Sequence, residues 1–376
     1  MFGIERSDEE ILERLASGKA WEEFCDTLKM AGQIVLRPGS PKTPLDLAEG
    51  YRYLTRMLRA GLETFIENSD PHAPELRRVV HETAKMGADN PDNYYQNAPI
   101  SGRERYVIRG KRGTVHYLGF YTQIGHYGQG GGMPPTGFIE AKDLVLEDDG
   151  ESFVIHVACE RPDGAKNWLP MKPETGTLIV RQTFLDRENE KLAELELEIV
   201  GREKRPSPFT PRRLDEGLGQ ASRLVGGAGM IFANWAEGFM KHKNELPEFD
   251  RNMSNAFGGD PNITYYHSYW ELGPDEALVV EATPPPCDSW NFQINNHWME
   301  SLDYRYAKIH VNAHTARYEP DGSVRIVVAH EDPGHPNWLD TCAHERGTMC
   351  FRWIRAEHTP QPKTRVMKID EVRSLR

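Results

Sequence analysis

The sequence has no cysteine framework, no long apolar run and no excess of positive charge, and each absence closes a class of function. Its five cysteines, Cys25, Cys159, Cys287, Cys342 and Cys350, are an odd number spread along the chain, which does not describe a disulfide scaffold. Cys342, His344 and Cys350 lie near one another but lack the paired spacing of a zinc site, and they fall where strands are expected. No apolar stretch approaches the roughly 18 residues of a membrane-spanning helix. A formal net charge of −12 opposes a nucleic-acid partner, because such binding draws on Lys and Arg displacing phosphate counterions. The stretch Arg202 to Arg213 is a local basic exception. Met1 to Leu15 is acidic and lacks the basic start and apolar stretch of a secretory signal, so a cytoplasmic protein with no membrane partner is expected.

Chemical fingerprints are missing too. There is no nucleophile elbow, P-loop, dinucleotide-binding glycine pattern or zinc-protease motif. The glycine-rich Gly128 to Gly132 has neither the Lys-Ser/Thr of a P-loop nor a helical pattern after it. It reads as a surface connection or as a loop over a pocket.

What the chain does contain is a diverged copy of itself. Asp89, Tyr94, Tyr95 and Gly102 return as Asp260, Tyr265, Tyr266 and Gly273, about 171 positions later. Ala158, Glu160 and Pro162 return as Ala329, Glu331 and Pro333; Asn167-Trp168-Leu169 returns as Asn337-Trp338-Leu339; Gly176-Thr177 and Arg181 return as Gly347-Thr348 and Arg352. A period this long is the size of a domain rather than of a solenoid repeat. The 376 residues are enough for two cores. A composition of 38% hydrophobic and 27% charged residues is that of a globular chain, neither disordered nor membranous.

Periodicity places the elements. Ser7 to Glu10 opens a helix, and Leu54, Met57, Leu58, Leu62 and Phe65 give Pro44 to Asn68 one apolar helical face. A short helix is expected over 74–86. After Gly87, segments 105–108, 114–122, 152–158 and 177–184 alternate like half-buried strands. Leu214 to Lys243 is again a helical pattern, with strands from Tyr265 onward. Helices followed by antiparallel strands give an α+β class: a tandem duplication of a helical segment and a jelly-roll-like or barrel-like β unit. The expected divisions are an N-terminal helical extension (1–44), a first repeat (45–201), a linker (202–213), a second repeat (214–357) and a C-terminal arm (358–376). That arm is expected to wrap another domain or subunit and so to support a homo-oligomer.

Several constellations could carry chemistry. The Asn-Trp-Leu pair is kept in both copies, so shared architecture explains it most simply: an indole plugging a sandwich and an Asn capping a turn. Trp168, Arg181, Trp298 and Arg352 are nevertheless retained as ligand contacts, the arginines reading either as buried partners of Glu160 and Glu331 or as anion readers. The opening motifs differ more usefully. Asn90, Asp92, Asn93, Tyr94 and Tyr95 supply amides, a carboxylate and phenols able to hydrogen-bond a hydroxylated ligand, where the second copy reads Pro261 to Ser268. The alternative is turn chemistry leading into a strand. Gln123 with His126 parallels Gln293 with His297 and Trp298, and His126 and His297 are the preferred proton carriers at neutral pH. His330, Glu331 and His335 could ligate a divalent metal with His310 or His314, but the spacing is not diagnostic, and no metal or other cofactor is expected.

These residues resemble known families. Asn337-Trp338-Leu339 with Gly347-Thr348 and Arg352, and more closely Asn167-Trp168-Leu169-Pro170, is similar to the Asn-Trp-Leu-Pro signature of the bacterial domain of unknown function 1214. Asn90 to Tyr95 resembles the opening motif of its companion, domain of unknown function 1254. The chain departs from the first signature at Asp340-Thr341-Cys342 and from the second at Asn93-Tyr94. The resemblance implies a two-part β-rich architecture of jelly-roll character and no established reaction.

With 8 Trp, 14 Tyr and 14 His available, the expected function is an enzyme acting on a small hydroxylated or aromatic molecule in a cleft between the domains. The chemistry would be general acid/base, in a lyase, isomerase or hydrolase without a covalent nucleophile. His126 or His297 would carry the proton, with Asp92 and Tyr95 assisting. The alternative is a non-catalytic carbohydrate- or small-ligand-binding jelly-roll protein.

Overall fold

Serine and glutamate open the described chain with a reciprocal cap. The Ser7 Oγ accepts from the Glu10 amide at 3.2 Å and the Glu10 carboxylate accepts from the Ser7 amide at 2.7 Å, starting α1 (Asp8–Ala16). The computed structural model describes residues 6–126 and 132–374. Helices α2 (Lys19–Ala31) and α3 (Pro44–Leu62) follow, α3 beginning on a proline, whose missing amide proton suits a first turn. The apolar face expected over Pro44 to Asn68 is present: Leu58, Leu62 and Phe65 pack with Phe24, Leu218 and Ala221.

Segment 74–86 is not helical. Arg77 exchanges both backbone hydrogen bonds with Asn97, at 2.8 and 2.7 Å, and His81 bridges to Ala84. The β-branched Val79, Val80 and Thr83 weaken helix formation there, and the neighbouring strand offers the backbone better partners.

The chain divides into two compact units. The first takes Met1–Ala31, Arg56–Ala84 and Asp92–Ala228; the second takes Gly32–Thr55, Lys85–Pro91 and Gly229–Arg376. In the first, strands β1 (Asn93–Pro99), β2 (Tyr106–Lys111), β3 (Tyr117–Gln123), β4 (Pro135–Glu140), β5 (Ser152–Ala158), β6 (Asn167–Pro170), β7 (Thr177–Thr183) and β8 (Glu194–Ile199) form two four-stranded sheets. Their orders are β1-β7-β3-β4 and β6-β5-β2-β8. Ile108, Phe120, Ile155, Val157, Leu169, Leu178 and Val180 are buried in the core of this unit.

In the second unit, helix α4 (Pro211–Phe239), which begins in the first, ends before α5 (Arg251–Ala256). Then come β9 (Ile263–Glu271), β10 (Glu276–Ala282), β11 (Ser289–Ile294), β12 (His310–Asn312), β13 (Val324–Ala329), β14 (Trp338–Asp340), β15 (Arg346–Ile354), β16 (Lys363–Lys368) and α6 (Ile369–Arg373). The orders are β12-β11-β15-β9 and β14-β13-β10-β16, so adding eight to each first-unit label reproduces both sheets. Only the β5–β6 and β13–β14 pairings are parallel among the described strands. The fold is therefore mixed helix and sheet with several antiparallel sheets. All four described sheets are open, and no closed barrel forms, which removes the barrel-like expectation.

The Asn-Trp-Leu pair has the same local structure twice. The Asn167 side chain accepts from Val145 N and donates to Val145 O and Val154 O, while Asn337 accepts from Arg317 N and donates to Arg317 O and Arg325 O. Each amide ties a loop to a strand. The indoles of Trp168 and Trp338 donate to Ala158 O and Ala329 O and stay half-buried. It is Leu169 and Leu339, fully buried, that enter the cores, so leucine rather than tryptophan is the plug.

Of residues 358–376, expected as an arm, the described ones up to 374 instead complete their own unit. Strand β16 pairs along β10, and α6 sets Val372 against Ala277, Val279, Val327 and Ala329. All five cysteines are free, and no helix among the described residues is long and apolar enough to cross a membrane.

Candidate functional site

Strand β3 reads Tyr117-Leu118-Gly119-Phe120-Tyr121, and a period of two sends Leu118 and Phe120 to the core and the two tyrosines and the glycine to the opposite face. Across that face, Gly119 lies level with Glu140 on β4 and with Arg181 on β7, and Arg181 lies level with Tyr95 on β1. One row of the sheet thus reads Glu140, Gly119, Arg181, Tyr95. With neighbouring strands about 4.8 Å apart, the carboxylate and the guanidinium straddle the glycine from positions about 10 Å apart.

The glycine is what lets the tyrosines meet. A Cβ at position 119 would lie 2.5 Å from the Tyr117 Oη, so the Tyr117 ring rests over the space a side chain would fill. Its hydroxyl reaches the Tyr121 hydroxyl, with which it shares a hydrogen bond, and donates to Glu140 Oε1 at 3.3 Å. Glu140 is 2% exposed and lies 3.5 Å from the Lys142 ammonium. The Arg181 guanidinium sits over the Tyr121 ring, 4.3 Å from its centroid, and Phe138 packs on the same ring at 4.8 Å. At the edge of the face, Thr183 donates to the Asn93 side chain at 2.7 Å. Tyr95, Asn93, Tyr117 and Arg181 are half-buried, so the face is partly open to solvent.

This face gathers Asn93, Tyr95 and Arg181 of the residues singled out by sequence, together with Tyr117, Gly119, Tyr121 and Glu140, which were not. The missed signal was Tyr-x-Gly-x-Tyr on a strand. The other first-unit residues lie elsewhere. Tyr94 points to the opposite side of β1, against the core, with the Arg78 guanidinium 4.3 Å from its ring centre. The Asp92 carbonyl accepts from Phe184 N and its side chain is buried. His126 packs its ring on Phe65 at 4.5 Å, and burial, aided by Arg223, lowers its pKa to about 4, so it is neutral at pH 7. Gln123 is buried and donates to Met133 O at 3.5 Å. Trp168 lies on β6, in the other sheet of the first unit. Of Gly128 to Gly132, all but Gly132 lie outside the described residues, as does Tyr127.

The second unit has a face of the same register and a different character. Arg352 lies level with Tyr265 and Asn291, and Cys350 with His267 and Gln293. Measured from the two arginines, Tyr95 therefore corresponds to Tyr265 and Tyr121 to Gln293, one and two residues away from the best sequence match. The segment Ala88 to Asn90 lies across this face. Arg352 Nη2 donates to Ala88 O at 2.7 Å, Gln293 to Asp89 O at 2.9 Å, and Asn291 to the Asn90 side chain at 2.8 Å. Arg352 is 4% exposed and turns to these amides and to the Gln293 Oε1, while Glu331 is exposed and 3.9 Å from Arg373.

Three second-unit histidines, His267, His297 and His344, are interior. His297 has no exposed surface, hydrogen-bonds Tyr269 at 3.0 Å and packs edge-on against Trp298, whose indole donates to Asp46 O. Burial, with the charges of Lys42, Arg346 and Arg37, lowers its pKa to about 3. His267, between the rings of Phe239 and Tyr265, is likewise lowered to about 3 by burial and Arg352. His344 goes the other way: its pKa is raised, the pull of the Glu49 carboxylate at 2.7 Å exceeding the opposing effect of burial, while that of Glu49 is lowered. His330 engages Thr341 at 2.8 Å and His335 accepts from Asn337 N. Among the described residues no group of three or more His, Cys, Asp or Glu is arranged to hold a metal.

Residues 276–358 match the family described as protein of unknown function (DUF1214). The matched span lies in the second unit and does not include the Asn90 to Tyr95 motif. The chain is 48% identical to an uncharacterised protein from Burkholderia cenocepacia whose structure is solved, over 96% of this chain and 99% of that one, with a TM-score of 0.92. A solved protein from Vibrio parahaemolyticus, 13% identical over 87% of this chain and 100% of its own, shares the fold at a TM-score of 0.51. No curated protein matches the chain.

Proposed function

We propose, for a chain that belongs to the same family as the Burkholderia cenocepacia protein, that the Glu140–Arg181 face of the first unit binds a small hydroxylated or aromatic molecule and moves a proton on it. The reading is an enzyme of lyase, isomerase or hydrolase type that uses general acid/base chemistry without a covalent nucleophile. The observation that carries it is the chain of hydroxyls from Tyr121 through Tyr117 to a buried carboxylate, set beside a guanidinium. A proton leaving a substrate hydroxyl passes to Tyr121 as Tyr121 passes its own to Tyr117 and Tyr117 passes its own to Glu140. The carboxylate ends as a carboxylic acid and the substrate as an oxyanion, which Arg181 steadies. The reverse sequence returns the proton to product. Proton transfer is thereby assigned to tyrosines rather than to His126 or His297.

The architecture is read as a tandem duplication of a jelly-roll-like unit. The matching strand orders, the two parallel pairings and the two Asn clamps support that reading. A duplicated fold leaves one copy of the face free to diverge.

The test is exchange and turnover. Hydroxy and oxo compounds are incubated with the protein in D2O and followed by proton NMR. The reading predicts solvent exchange or conversion of one class, reduced about 100-fold in Glu140→Gln with affinity within a few-fold of the parent. Binding without exchange in either protein supports a second reading, a non-catalytic carbohydrate- or small-ligand-binding protein, for which the exposed Phe138 ring offers a stacking surface. Absence of any binding overturns both.

A further inference from the structure

The second unit holds an occupant on its polar face, and that occupant indicates what the first face takes. Three successive residues, Ala88, Asp89 and Asn90, present oxygen atoms to Arg352, Gln293 and Asn291. Two of the three are backbone carbonyls, and the guanidinium reads the first at 2.7 Å. Ala88 adopts a φ of 56° and Gly87 a φ of 64°, so the chain enters the left-handed region at two consecutive positions where it reaches the face. Met299 O fixes the Ala88 amide at 2.7 Å and Ser301 holds both Asp89 carboxylate oxygens, at 3.0 and 2.8 Å. The face is therefore built around a planar sp2 oxygen group delivered to its arginine.

In the first unit the arginine is kept and its two amide neighbours are replaced. By register, Asn291 gives way to Gly119 and Gln293 to Tyr121. The glycine gives the Tyr117 ring its place beside Arg181, and the second amide-reading position becomes a phenol flanked by Phe138. Amides that matched a peptide are gone, while the guanidinium that matched its carbonyl remains and is half-exposed.

We infer that the first-unit face is selective for small carboxylates with a flat apolar body, the carboxylate paired with Arg181 and the body laid on the exposed ring of Phe138. A carboxylate offers the guanidinium two coplanar oxygens where the carbonyl of Ala88 offers Arg352 one, which is the geometry Arg binds best. This rests on the acid/base reading of the same face and names its substrate class.

The probes are 4-hydroxybenzoate, 4-hydroxybenzamide and 4-hydroxybenzyl alcohol, titrated into the full chain by calorimetry and ligand-observed NMR. The carboxylate should bind about tenfold or more tightly than either neutral analogue. Arg181→Met should abolish that preference and Arg181→Lys should retain part of it, whereas Arg105→Met, an equal loss of charge elsewhere on the first unit, should change nothing. Gly119→Ala, whose methyl would displace the Tyr117 ring from the face, should weaken all three probes. Circular dichroism of each variant establishes that it is folded. Equal binding of the three probes, still weakened by Gly119→Ala, overturns carboxylate selectivity and leaves the face as a ligand site. No binding of any probe at millimolar concentration overturns both.

Discussion

Replacing His267 by phenylalanine should make the second unit less sensitive to acid, and the size of the effect follows from its surroundings. The imidazole is stacked at 5.4 Å on Phe239 and 5.6 Å on Tyr265, with Phe249 edge-on at 5.2 Å, so a phenyl ring fits the same slot. Its Nδ1 is buried without a hydrogen-bond partner, and Nε2 faces only the Cys350 sulfur at 3.8 Å. A folded pKa of about 3 against 6.5 unfolded means that below pH 6.5 the unfolded chain binds a proton that the folded chain does not. Stability then falls with falling pH by about 1.4 kcal/mol per unit for each such histidine. His297, also lowered to about 3, contributes equally, so from pH 6.5 to 5.0 the second unit should lose roughly 3 kcal/mol in the parent and roughly half as much in His267→Phe. At pH 7 the variant should be as stable as the parent or more so by about 1 kcal/mol, because an unsatisfied polar atom leaves the interior. Urea titrations at pH 5.0, 5.8 and 6.5 measure this, with intrinsic fluorescence as the probe, since Trp235, Trp270, Trp290, Trp298, Trp338 and Trp353 all lie in that unit. Equal acid slopes for variant and parent would refute the reasoning.

The raised His344 acts on the other limb of the pH profile. Its pairing with Glu49 is fully present below pH 6.5 and is lost as pH rises through the folded pKa, so second-unit stability should peak near pH 6.5 and Glu49→Gln should flatten the alkaline decline, measured by the same titrations. Because Glu49 is itself lowered, its own contribution fails only as pH drops below about 4.5. Asn337→Ala removes three hydrogen bonds from a residue 1% exposed and should destabilise the second unit by about 2 to 4 kcal/mol in urea titration. Tyr117→Phe breaks the hydroxyl link from Tyr121 to Glu140 and should reduce exchange in D2O as much as Glu140→Gln does, with a small change in affinity.

Much of the fold was legible because it depends on patterns one strand or helix long. The strands over 152–158 and 177–184 and the helix from Pro44 follow from periodicity and spacing. Segment 74–86 misled because its fate depends on a distant strand edge at Asn97, which no local pattern records. The arm at 358–376 misled similarly: its prolines read as a free extension, yet β10 needed an edge partner. The candidate site was half visible. Asn93 stood out because the two matching segments differ there, and Tyr95 and Arg181 because they agree. Glu140 and Tyr121 did not, since their importance lies in cross-strand register, and register slips between the copies by one residue at β1 and two at β3 relative to the sequence match. Histidine drew attention through its ordinary pKa, but burial beside Phe65 or Tyr269 keeps His126 and His297 neutral.

The most direct measurement is a crystal structure of the protein soaked with 4-hydroxybenzoate. The carboxylate is expected against the Arg181 guanidinium, with the ring on the exposed face of Phe138. Ligand density confined to another place, such as the roughly 450 Å³ groove lined by Arg105, Arg109, His156 and Glu198 on the other sheet of the first unit, would contradict it.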